Sequence, residues 1–255
     1  MNTPIRGWKG QRVWIIGASS GIGAALAAAL LQRGAHVAVS ARRAEAMRAL
    51  AADHKEARVL PFDLNDRTAF AAAADDLFKA WGGIDLVVFC AGAYAPMRAW
   101  QLDANDIDRM LDINLRAPMA ASARLIPQLL KQGSGALAFV SSVAGFRGLP
   151  KAAAYGPTKA ALINFAETLY LDLAPRGLSV FIINPGFVAT PMTAANDFEM
   201  PALISPQQAA EEIIAGFGRG SFEIHFPRRF TAWLKLLRLL PYSLYFALVR
   251  RFTRL

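Results

Sequence analysis

The sequence predicts an α/β fold: a single doubly wound parallel sheet with helices on both faces, followed by a basic amphipathic helical tail. Three observations carry this. Short apolar runs alternate with helical patterns along the chain, and strands that are apolar throughout belong to sheets covered on both faces. One such run, Arg12 to Ile16, leads directly into a turn carrying Gly17, Gly21 and Gly23. Finally, 255 residues with 55% hydrophobic and 18% charged side chains suit one large core, since α/β folds commonly use this length whole. The chain reads as one domain, residues 1–255, with a core at about 10–225 and a tail at 226–255.

In chain order, the strands are expected near Val13 to Ile16, Ala35 to Ser40, Arg58 to Phe62, Leu86 to Cys90, Ala136 to Ser141, Ser179 to Asn184 and Phe222 to His225. Helices fill the intervals. The alanine-rich run Ala24 to Leu31 follows the glycine turn, and Gly34 sits where a helix C-terminal glycine belongs. Alanine clusters at 24–29, 71–74 and 152–154 suit close packing of helices on a sheet. This βα alternation implies right-handed crossovers and places ligands outside the carboxyl ends of the strands.

Two patterns point to chemistry. Strand, glycine turn and helix in succession form a dinucleotide-site context, because glycines let the backbone approach a pyrophosphate and the helix offers it unpaired N–H groups. Three residues separate the first two glycines here, so the spacing differs from G-x-G-x-x-G, and a plain strand-to-helix turn is the bland reading. The second pattern is Tyr155-Gly156-Pro157-Thr158-Lys159, thirteen residues beyond Ser142. Residues four apart on a helix share a face, so the Lys159 ammonium is expected near the Tyr155 phenol, favouring its ionised form and suiting it to acid or base work. After the second strand comes Ser40-Ala41-Arg42-Arg43, with no acid until Glu45. An acidic side chain at this place recognises a ribose without a 2′-phosphate, and arginine accommodates the phosphate. The expectation is NADP(H) over NAD(H), with Arg42 as phosphate ligand and Arg43 as its support.

The glycine turn, Asp63 after the third strand, Cys90-Ala91-Gly92 after the fourth, Asn114, Ser141-Ser142, Tyr155 with Lys159, and Asn184-Pro185-Gly186 together resemble the compact short-chain dehydrogenase/reductases, over roughly residues 10–225. Two positions depart from that pattern: Ile16 stands where a threonine is usual, and Cys90 where an asparagine is. The resemblance implies a Rossmann-type, nucleotide-binding oxidoreductase acting on a carbonyl or secondary alcohol. Tyr155 would give the proton to a carbonyl or take it from an alcohol, and Ser142 would hydrogen-bond the same oxygen. Lys159 would bind the nicotinamide ribose and lower the phenol pKa, and Asn114 would hold a water in a proton relay. Asp63 would contact adenine, while Pro185 and Gly186 would shape the nicotinamide pocket. Gly17, Ser19, Ser20, Gly21, Ile22 and Gly23 would contact the cofactor, as would Leu64, Cys90, Ala91, Gly92, Val188 and Thr190. Each has a bland counterpart: a packed Tyr, a turn Ser, a capping or buried Asn, an N-cap Asp. Carbonyl reduction is the expected direction, because the NADPH pool is kept reduced, and a homodimer or homotetramer is expected.

Composition narrows the remaining classes. Cys90 is the sole cysteine, so no intrachain disulfide can form and a cytoplasmic location is expected. His36, His54 and His225 make no metal-ligand spacing. Met1 to Gly10 has no apolar core of a secretory signal, and no run of about 18 apolar residues suggests a transmembrane helix. The net charge of +9 belongs to the tail: residues 226–255 hold Arg228, Arg229, Lys235, Arg238, Arg250, Arg251 and Arg254 and no acid, leaving 21 basic against 19 acidic residues before them. Leucine and aromatic faces flanked only by cations fit helices lying on an anionic membrane, here the inner face. They fit equally a tail packed on the body or on a second subunit. Nucleic acid is not expected, since no aromatic platform is interleaved with a basic groove. A substrate lid is expected after Thr190, with Met192, Phe198, Met200, Leu203 and Ile204, and with Tyr94, Met97, Phe146, Leu149 and Phe187 opposite, walling an apolar pocket for a lipophilic ketone or aldehyde. The rival readings are a non-catalytic dinucleotide-binding sensor and a membrane-associated scaffold on the same fold.

Overall fold

The computed structural model describes residues 1–253. Seven parallel strands form one sheet in the order β3-β2-β1-β4-β5-β6-β7. They are β1 (Arg12–Ile16), β2 (His36–Ser40), β3 (Ala57–Val59), β4 (Leu86–Phe89), β5 (Ala136–Val140), β6 (Ser179–Pro185) and β7 (Glu223–Phe226). The seven strand positions expected from the sequence are all occupied. The third is shorter than the run Arg58 to Phe62: Leu60 and Phe62 still donate to β2 and the residue after it, but Pro61 between them has no N–H to give, and the ladder ends.

Alternation along β1 divides the interior into two cores. Val13 and Ile15 face Leu26 and Leu30 of α1 (Gly21–Gln32) and Ile213 and Phe217 of α7 (Pro206–Arg219). Trp14 and Ile16 face Phe70 and Leu77 of α3 (Arg67–Trp81), Leu125 and Leu129 of α5 (Ala117–Gln132) and Leu162 of α6 (Tyr155–Leu173). The indole of Trp14 satisfies its one donor on Ser40 Oγ at 2.9 Å. The short helices α2 (Ala44–Ala51) and α4 (Ala104–Leu111) complete the layers. Local chemistry sets the helix ends. Asp66 accepts from Thr68 and Ala69 at the start of α3, Ser205 and Gln208 form a capping box on α7, and Gly82, Gly133 and Gly220 close α3, α5 and α7 in the left-handed region.

The tail forms α8 (Arg228–Arg238) and α9 (Tyr242–Thr253), broken at Pro241 as its sequence requires. α8 starts earlier than the leucine-rich run at Ala232, because Pro227 pre-sets the backbone just before the first turn. One side of the tail rests on the body. Arg147 donates to the carbonyls of Leu237 and Leu240 at 3.0 and 2.7 Å, and its guanidinium lies over the rings of Tyr245 and Tyr242. The Tyr245 hydroxyl donates to the Gly148 carbonyl. Arg254 lies outside the described residues. Among those described, no helix is long and apolar enough to cross a membrane.

β1 and β4 are locked at their amino ends by Arg12, whose backbone N–H and side chain both donate to Asp85. Burial works against the ionised carboxylate, but the Arg12 hydrogen bonds and charge outweigh it and hold Asp85 below its ordinary value. A lowered carboxyl stabilises the fold above its unfolded-state pKa, and that contribution is lost as pH falls through the folded-state value. Asp85→Asn is expected to cost about 1–3 kcal/mol at neutral pH. In urea unfolding followed against pH, the difference from the parent should shrink as the solution is acidified.

Candidate active site

A cleft of about 600 Å³ runs along the carboxyl ends of β1, β4, β5 and β6, where the strand order reverses between β1 and β4. Its first wall is the glycine turn. Gly17 is at φ +97°, and a Cβ there would stand 2.3 Å from the Ala91 backbone nitrogen, so the β1 and β4 loops can approach this closely only with glycine. A Cβ on Gly23 would meet the Gly17 carbonyl oxygen at 2.3 Å. Gly23 thus seats α1 on the turn and does not line the cleft, whereas Gly17, Ser19, Ser20, Gly21 and Ile22 do. The Ser20 side chain makes no capping bond to α1, leaving the first-turn N–H groups of α1 as anion donors.

At the outer end, Arg42 and Arg43 line the rim. Arg43 donates to Ser19 Oγ and Ser20 Oγ at 3.2 and 3.1 Å, which ties it across the glycine turn, and Arg42 is exposed beside it. Asp63 and Leu64 also line this end. Asp63 does not cap α3, since Asp66 holds that place; its carboxylate accepts from Asn65 N–H within its own turn.

At the inner end, the cleft is lined by Cys90, Ala91, Gly92, Ser142, Tyr155, Lys159, Pro185, Gly186, Val188 and Thr190. Ser142 begins a single helical turn, Val143–Gly145, and its Oγ accepts from Ala144 N–H. Two residues the sequence reading left unassigned set the geometry of Tyr155 and Lys159. Ser141 Oγ donates to the Lys159 carbonyl at 2.8 Å. Gly145 lies so close to α6 that a Cβ would stand 2.7 Å from the Lys159 carbonyl carbon. The signal for both was their place beside Ser142 at the end of an apolar strand.

Asn114 sits in a π-helical turn, Asp112–Arg116, between α4 and α5, and is buried. Its amide accepts from Ala93 N–H at 2.8 Å and donates to the Ala93 carbonyl and to Thr158 Oγ1. It does not line the cleft. Both N–H donors of this side chain are therefore used on protein partners.

The electrostatics differ from expectation. Lys159 Nζ donates to the Val140 carbonyl at 2.9 Å and lies 5.6 Å from the centre of the Tyr155 ring. Burial pushes Lys159 down to about 8, with Cys90 offsetting part of this. Burial pushes the Tyr155 phenol above its ordinary value, with the neighbouring Ser142 hydroxyl opposing and Tyr94 and Cys90 adding to the rise. Desolvation thus outweighs the Ser142 hydrogen bond, and the phenol stands as a protonated donor. Cys90 is pushed up to about 12 by burial and remains a thiol.

Over the inner end, residues 190–203 make an excursion bounded by the pairing of Val188 with Ile204. Tyr94 packs edge-on to Tyr155 at 4.9 Å, and its hydroxyl donates to Asn196 of the excursion; Lys151 pairs with Asp197. Of the apolar wall expected, Met192 lines the cleft. Met97 and Phe146 are buried in the cores and do not wall it, and Phe187 packs between Phe198 and Phe230. Among the described residues, no group of His, Cys, Asp and Glu could hold a metal.

Comparisons agree with this architecture. A sequence model described as short chain dehydrogenase matches residues 11–200. An uncharacterised oxidoreductase of Myxococcus xanthus is 36% identical over 241 residues, 93% of this chain and 95% of that protein. A 2-dehydro-3-deoxy-L-rhamnonate dehydrogenase (NAD(+)) of a Sphingomonas species is 31% identical over 72% of this chain and 75% of its own. A crystal structure of a short-chain dehydrogenase from Streptomyces avermitilis superposes with a TM-score of 0.81 at 23% identity, covering 96% of this chain and 98% of that one. With the glycine turn, the Ser142, Tyr155 and Lys159 cluster and the sheet order all pointing the same way, the chain belongs to the short-chain dehydrogenase family of oxidoreductases.

Proposed function

We propose that the protein is an NADP(H)-dependent reductase of a lipophilic ketone or aldehyde. The observation that carries the reading is a single cleft with Arg42 and Arg43 at one end and Ser142, Tyr155 and Lys159 at the other. The glycine turn and the open N–H groups of α1 suit a pyrophosphate, and the two guanidinium groups suit a 2′-phosphate. Asp63 and Leu64 would hold the adenine, and Pro185, Gly186, Val188 and Thr190 the nicotinamide. When bound, the cofactor supplies the hydride that reaches the carbonyl carbon.

The rest of the work falls to the chain. The Ser142 hydroxyl donates a hydrogen bond to the substrate oxygen and polarises it. Tyr155, held protonated by burial, passes its phenolic proton to that oxygen as charge develops there. Lys159 steadies the resulting phenolate and bonds the ribose. Asn114 acts as a positioning residue, tying the β4 loop to α6 through Thr158. Met192 and Ile113 at the inner end support an apolar substrate. A homodimer or homotetramer belongs to this reading through the family resemblance.

Tyr155→Phe should lower kcat for carbonyl reduction by about 10²–10⁴-fold while NADPH binding, read by fluorescence, is retained; undiminished turnover across a carbonyl panel refutes the assignment. The reduction kcat/KM should fall as pH rises through about 8, as Lys159 loses its proton, and a profile flat to pH about 10 argues against that role. Replacing Arg42 and Arg43 by Ala should raise the KM for NADPH at least roughly tenfold, each charge-assisted bond contributing about 1.5–3 kcal/mol, with the KM for NADH little changed. Parent enzyme that prefers NADH overturns the cofactor choice.

A further inference from the structure

The tail helices turn the wrong side outward for a protein surface. The outward face of α8, continued by Leu239 just past its end, carries Ala232, Trp233 and Leu236, with Trp233 68% and Leu239 79% exposed. The inward face carries the polar work: Thr231 bonds His225, and Lys235 pairs with Glu223. On α9, Tyr242 and Phe246 stand exposed and stacked on each other beside Arg250. Arg228, Arg229, Arg238, Arg250 and Arg251 rim these apolar faces, all exposed, with no acidic residue among 226–255. An apolar patch of this kind marks a docking surface.

From this geometry we propose that the outward face of α8 and α9 docks on an anionic lipid bilayer. The charge decides the occupant. Two copies meeting through this face would bring like charges together across a two-fold axis, whereas anionic headgroups neutralise them at about 1 kcal/mol per cation near the surface. Trp233 and Tyr242 have the apolar body and polar tip that an interfacial layer accommodates.

Docking also reaches the cleft. Phe230 of α8 packs on Gly186, where a Cβ would stand 3.0 Å from its ring, and on Phe187, which meets Phe198 of the excursion over the inner end. Phe230 itself faces the body, but it joins α8 to the excursion over the inner end, so docking would set that excursion near the bilayer and a lipid-dissolved carbonyl would enter from it; this step rests on the reductase reading above, and the docking itself does not.

The test is cosedimentation of the full chain with vesicles of phosphatidylglycerol in phosphatidylcholine and with pure phosphatidylcholine. The parent should pellet with the anionic vesicles, and less so in about 0.5 M salt, where charges are screened within a few ångströms. Trp233→Asp with Leu236→Asp, and separately Arg229→Glu with Arg250→Glu, should each lower the partition coefficient at least about tenfold. All four side chains point to solvent, and circular dichroism checks that folding is kept. A parent that stays in the supernatant, variants that pellet equally, or variants that instead change the molecular mass in solution overturn the proposal, the last favouring a second copy. NADPH consumption across a panel of soluble and lipophilic carbonyls, measured without vesicles, separates the two readings: vesicle binding with no turnover on any of them refutes the reductase alone, and turnover without vesicle binding refutes docking alone.

Discussion

The arrangement turns on how closely α6 lies against the end of β5. Gly145 removes a side chain that would otherwise collide with the backbone at Lys159 and Ala160, and the Ser141 hydroxyl holds the Lys159 carbonyl. These two contacts fix the rotation of the first turns of α6, and through it the directions of Tyr155 and Lys159. Asn114 adds a third point through Thr158, so three elements meet on one helix. A site held on rigid helices and strand ends in this way keeps its geometry without help from mobile loops.

The same closeness sets the charges. Bringing Lys159 to 3% exposure removes the water that would favour its ammonium, and the phenolate of Tyr155 is disfavoured for the same reason. In this cleft burial moves both groups toward their neutral forms, yet at about 8 Lys159 stays mostly an ammonium at neutral pH, with the Val140 carbonyl accepting from it. A helical spacing of four residues promised proximity of phenol and ammonium but carried no information on desolvation, which is a property of the packed whole. That is why the sign of the tyrosine shift was not legible before the fold was known.

Much of the fold was legible because it follows from local rules. Apolar strands announce a sheet buried on both faces, and Gly34, Pro241 and the glycine turn mark boundaries by backbone geometry alone. What escaped depended on partners distant in sequence. Asp63 and Asp66 are equally plausible caps by composition, and only the start of α3 at Arg67 separates them. Met97 and Phe146 carry the same apolar signal as Met192, yet the loops direct the first two into the cores. Gly145 reads as an ordinary loop glycine until α6 is placed beside it. The tail showed its charge and periodicity plainly, and Arg147, the residue that anchors it from ninety positions away, gave no sign.

Cys90 adds a practical property. The thiolate is the reactive form of a cysteine, and a sulfhydryl held at about 12 at the floor of the cleft reacts sluggishly with alkylating reagents while the fold persists. Being the sole sulfur of its kind in the chain, it makes the protein a one-label molecule whose modification rate reports, at a single position, whether the cleft is filled or open.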